Sequence, residues 1–135
     1  MNPVRSLSLA CTLAAVSLLA SCKCPPAGDT AARLDGRSYK VTLVAPNGEK
    51  MSDDLLFRNG RFESTVCTSA GFNVVPYSVQ TIEDGMRFTA QCDSPKMGHN
   101  EWRGMVKGDQ IEGMVTRTPK EGAPIASSFS GSLVK

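Results

Sequence analysis

The chain keeps meeting glycine turns. "PNGE" stands at 46–49, "RNGR" at 58–61, "EDGM" at 83–86 and "KGDQ" at 107–110. Asn-Gly and Asp-Gly are the strongest short signals for a two-residue hairpin loop, because the favoured turns need positive φ at their central residues. The segments between these turns are short and rich in Val, Thr, Ile, Phe and Tyr, and none carries a helical period. A chain cut this often can hide an apolar face only by laying short strands side by side. The pattern predicts an all-β meander.

The predicted registers can be tested against the alternation of side chains. With Gly108-Asp109 as a two-residue loop, Val106 faces Ile111, Gly104 faces Gly113 and Trp102 faces Val115. Glu101, Arg103, Lys107, Gln110 and Glu112 then share the opposite face. Turn and alternation agree, as a half-buried hairpin requires. The same test at Asn59-Gly60 pairs Phe57 with Phe62 and Leu55 with Ser64. With Asp84-Gly85 as the loop, Thr81 faces Phe88 and Tyr77 faces Cys92. Eight antiparallel strands result, over 37–44, 51–58, 61–67, 77–83, 86–93, 101–107, 110–117 and 127–134. An up-and-down meander of this kind closes most simply as a barrel, with the last strand pairing with the first and both edges removed. The outline is similar to that of lipocalins or avidins, although no Gly-x-Trp stands at the first strand.

Three regions follow from the sequence: 1–21, 22–35 and the barrel at 36–135. In the first, Arg5 is followed by an apolar run from Leu7 to Leu19 and the small residues Ala20 and Ser21. This is the layout of a secretory signal peptide, and the run is short for a membrane span, which needs roughly 20 residues. Leu19-Ala20-Ser21-Cys22 resembles the lipobox of bacterial lipoproteins. That resemblance implies cleavage before Cys22 and acylation of Cys22, with the membrane as partner through a lipid anchor. Two or more acyl chains give stable attachment. In diderm bacteria an aspartate after the modified cysteine resembles an inner-membrane retention signal. Lys23 stands there instead, so for a diderm the resemblance implies the outer membrane facing the periplasm rather than the inner membrane. "CKCPPAGDTAARLD" at 22–35 reads as an extended tether biased by Pro25 and Pro26. The barrel region also resembles a group of small uncharacterised bacterial lipoproteins through Phe62, Ser64, Cys67, Gly71-Phe72 and Pro76-Tyr77, followed by the Trp102–Gly113 hairpin. That resemblance implies no activity.

Charge narrows the partners. Arg5 is the only charged residue of 1–21, so fourteen basic and thirteen acidic residues remain after it. With no basic stripe, nucleic acid is not an expected partner. Chemistry is sparse as well. His99 is the single histidine, and no Cys-x-x-Cys pair suggests zinc, so neither metal nor cofactor is expected. Asp53 and Asp54 are adjacent and would point to opposite faces of a strand, a poor acid/base pair; they read as blunting a strand start. The expectation is a non-enzyme.

Cys67 is the candidate reactive thiol. Counting inward from Phe62, Ser64 and Val66 face in and Cys67 faces out, whereas Cys92 faces in with Phe88 and Ala90. Diverging Cβ vectors disfavour a disulfide between them. A bulge at 66–68 would reverse that reading. Alternate connections of a meander emerge at one end, so the loops "TSAGFNVVP" and "SPKMGHN" share a rim with those at 44–50 and 118–126. Phe72, Val74, Val75, Tyr77, Met97 and His99 are the candidate ligand or contact residues there. The apolar ones either form a contact surface or fold inward as a plug. The barrel interior is either a solid core or a ligand cavity. Three functions are compatible with these residues. The first is a membrane-anchored envelope module that contacts an envelope protein or serves structurally. The second is a lipocalin-like binder of a small apolar ligand, and the third is a thiol-dependent enzyme.

Overall fold

A computed structural model of the chain describes residues 34–135. Cys22, Cys24 and most of the tether lie outside the described residues. Eight strands follow one another: β1 (Ser38–Val44), β2 (Lys50–Arg58), β3 (Arg61–Ser64), β4 (Val75–Ile82), β5 (Gly85–Ser94), β6 (Gly98–Lys107), β7 (Gln110–Thr118) and β8 (Ile125–Leu133). Each pairs antiparallel with the next, and β8 pairs with β1 to close the barrel. One short helix, α1 (Thr65–Ser69), sits between β3 and β4.

Two of the predicted hairpins have the predicted registers. Phe57 pairs with Phe62 around Asn59-Gly60, both residues of which have positive φ (53° and 71°). Trp102 pairs with Val115 and Val106 with Ile111 around Gly108-Asp109. The third is displaced. Ile82 pairs with Gly85, so the loop is Glu83-Asp84, Val79 faces Phe88 and Tyr77 faces Ala90, not Cys92. Gly85 serves close approach rather than the turn: a Cβ there would stand 2.1 Å from the Val106 carbonyl oxygen of β6. The displacement is two residues, and side chains alternate with a period of two, so every residue kept its predicted face.

The chain's eight aromatic residues are all buried. Seven pack in one network with Phe57 at its centre, 5.0–6.0 Å from the rings of Tyr39, Phe62, Tyr77 and Phe88. Small residues make room for it: a Cβ on Gly104 would meet the Phe88 ring at 2.3 Å. The tight turns 59–60, 83–84 and 108–109 lie at this filled end. Leu34 and Asp35, read from sequence as the last of the tether, belong to the barrel. Leu34 is fully buried, and the Asp35 carboxylate accepts from Gly60 N at 3.0 Å and from the Tyr77 hydroxyl at 2.6 Å.

Candidate functional site: the open end of the barrel

At the other end the connections are longer, at 45–49, 65–74, 95–97 and 119–124. Two of them meet directly: Asn73 N donates to Asp93 O at 3.1 Å, and Asp93 N donates to Asn73 Oδ1 at 2.8 Å.

Here β3 departs from its predicted span. The strand stops at Ser64, and 65–67 are helical. The reason is local. Ser64 Oγ accepts from Cys67 N at 3.1 Å, an N-cap that satisfies a donor the ladder would otherwise use. Asp53 completes the start of α1, accepting from Ser64 Oγ at 2.5 Å, Thr65 Oγ1 at 3.0 Å and Val66 N at 3.0 Å. Asp53 is therefore an interior helix-capping residue, 3 % exposed, and not a blunt strand start.

The turn of α1 carries Cys67 inward. Cys67 is buried, which corrects the outward placement, and its Sγ accepts from Asn100 Nδ2 at 3.1 Å. Asn100 is the register partner of Cys92 across β5 and β6, so one asparagine links the strand of Cys92 to the Cys67 sulfur. Both thiols are free. Both cysteines thus face inward, so diverging faces do not separate them. Burial pushes the Cys67 thiol up, against the opposing pull of hydrogen bonds from Ser64 and Asn100. Burial, with the negative charge of Cys67 second, pushes the Cys92 thiol up to about 12. Neither has the lowered pKa of an activated nucleophile.

The predicted rim residues separate into four places. Phe72 and Val75 are buried, so this part of the connection is a plug. Val74 and Met97 are exposed. His99 stands on the outer face, its Nδ1 2.8 Å from Asp93 Oδ1. Tyr77 is not at this end. Its ring packs on Phe57, and burial together with the bond it donates to Asp35 raises its pKa.

Inside the open end lies a cavity of about 520 Å³, within the range of small-molecule sites. Inward-facing side chains line it: Leu43, Met51, Trp102, Val115 and Ile125, with Asn100, Arg117, Cys67 and Ser127. Met51 and Ile125 are about half exposed, at 54 % and 47 %, although both point to the barrel interior. Sequence reasoning missed this set. Met51, Asn100, Arg117 and Ile125 occupy inward positions, but their types gave no reason to single them out. A concavity of about 700 Å³ on the outer face, over Gly104 and Gly113, lies where the sheet coils and is open to solvent.

Among the described residues, no group of three or more His, Cys, Asp or Glu could hold a metal ion. No described helix is long and apolar enough to cross a membrane, which says nothing of strands or of a lipid anchor. Comparison with known proteins finds no matching family model, curated protein or solved structure.

Proposed function

We propose that this chain is a lipid-anchored, non-catalytic module of the cell envelope whose barrel takes a small, largely apolar molecule into its open end. The anchor rests on the lipobox at Leu19-Ala20-Ser21-Cys22. The binding reading rests on one observation, the half-filled interior. Aromatic rings pack one end solidly, and the other keeps a cavity whose apolar lining includes Met51 and Ile125, both left exposed. Inward apolar side chains that stay exposed are the residues an occupant would cover. The polar groups nearby support a non-catalytic reading, since Asp53 is engaged in capping α1 and Asn100 in holding Cys67.

Trp102 makes the test direct, because it is the chain's only tryptophan and lines the cavity. Titration with the neutral dye N-phenylnaphthylamine should quench Trp102 emission and raise dye emission saturably. An unsaturable response, with Trp102 unaffected, would remove the binding reading. The anchor is tested separately. Cys22→Ala should yield an unprocessed or soluble product, and processing with detergent partitioning like the wild type would refute lipidation.

A further inference from the structure

The cavity wall carries a cation that has no counter-ion in contact among the described residues. Arg117 faces inward from β7, half-buried, and no carboxylate of the described residues stands within 4.0 Å of it. Its Nε–H donates to Asn100 Oδ1 at 3.3 Å, and its guanidinium lies 5.6 Å from the centre of the Phe72 ring. A guanidinium has five N–H donors, and here only one finds a protein acceptor among the described residues. The other charged side chains lining the cavity are Glu49, Lys50 and Asp53. Glu49 and Lys50 are exposed rim neighbours of opposite sign. The Asp53 carboxylate already accepts three hydrogen bonds at the start of α1. A second donor belongs to the same lining: Trp102 Nε1 is buried and finds no acceptor among the described residues. Buried donors are nearly always paired, so such a donor asks for a reason.

The arrangement is therefore one-sided in chemistry. Its apolar surface comes from Leu43, Met51, Val115 and Ile125, and its inner wall presents the Arg117 fork and Trp102 Nε1 as donors beside the Ser127 hydroxyl, with the Glu49 carboxylate out at the exposed rim. We infer that the open end binds a single-chain amphiphile with a carboxylate head, the head on Arg117 and the chain along Met51 and Ile125. This inference rests on the binding reading above and adds the ligand's charge and orientation. A carboxylate brings acceptors only, and the planar guanidinium fork matches it with two parallel bonds. Phe72 and Asn100 hold that fork before any ligand arrives, which lowers the ordering cost of binding.

The test compares laurate with dodecanol, which share a chain and differ in the charged head. The full chain in neutral phospholipid nanodiscs is titrated with each probe. Trp102 emission is the readout, and uptake by empty discs is subtracted. Laurate should bind about tenfold or more tightly than dodecanol, the scale of one charge-assisted hydrogen bond. Arg117→Gln should bring the two affinities together, and Arg117→Lys should restore part of the preference. In the wild-type chain the Arg117 Nε–H resonance should shift with laurate and not with dodecanol, a readout that needs no variant to fold. Equal wild-type affinities, a preference for dodecanol, a preference that survives Arg117→Gln, or an unmoved Arg117 resonance overturns the carboxylate inference and leaves the binding reading standing. If neither probe perturbs Trp102 saturably, both fall.

Discussion

The two ends of this barrel are built from one repeating rule and come out differently. At the end closed by tight turns, inward positions hold Tyr39, Phe57, Phe62, Tyr77 and Phe88, and Leu34 is buried with them. At the open end the inward positions hold Met51, Asp53, Asn100, Arg117 and Ile125. Alternation is equally strict at both. The fill differs because short hairpins bring bulky rings into one plane, whereas the longer connections leave space that only α1 and Phe72 partly occupy. One end is built for stability and the other has room to spare.

The largest expected effect breaks the filled end. Phe57→Ala removes the ring that touches four other aromatics and should cost about 3–5 kcal/mol of unfolding free energy in urea denaturation. A loss below about 1 kcal/mol would mean that this end is not the stable one. Next comes Gly104→Ala, whose new Cβ would meet the Phe88 and Phe129 rings at 2.3 and 2.9 Å. Overpacking of this kind should cost about 1–3 kcal/mol by the same measurement, and a neutral outcome would show the ring network to be loose.

Alkaline titration probes the open end. The folded protein keeps the Cys92 proton up to about 12, whereas the unfolded chain releases it near the ordinary 9.0. Between those values the unfolded state binds fewer protons, so it gains as pH rises. The stability due to the protonated thiol is whole below about pH 9 and is lost as pH climbs toward 12. Thermal melts of Cys92→Ala should fall less steeply over that range than those of the wild type, with Cys67 and Tyr77 still contributing. Identical slopes would place Cys92 in contact with solvent. The smallest stability effect belongs to Ile125→Ser at the mouth, within about ±0.5 kcal/mol, as for a surface site. The same variant should weaken dye or laurate binding several-fold. Unchanged affinity would move the ligand away from this wall.

Which residues point inward was legible from the chain alone for the aromatic end, but not for Cys67, Asn100 or Ile125 at the open end. Asn59-Gly60 and Gly108-Asp109 set two registers through φ, and alternation set the faces of every strand. Even the two-residue error at Glu83-Asp84 preserved those faces, because a shift of one full period changes partners and not sides. The binding reading was legible only as one of several alternatives. Arg117 and Ile125 pair across β7 and β8, but nothing in Met51 of β2 marks it as their neighbour, since it nears them only when β8 returns to β1.

The sequence by itself therefore determined the class of fold, the strand order and the aromatic inward set, because turn chemistry and a period of two are local properties. Tertiary structure decided the rest. Asp53 and Ser64 stand eleven residues apart, and only the β2–β3 pairing brings them together to end a strand and start α1. That short helix carries Cys67 to Asn100, and Arg117 faces the cavity with no carboxylate of the described residues in contact. The first contact needs only the β2–β3 hairpin, but those of Cys67 with Asn100 and of Arg117 with Phe72 join segments far apart in the chain.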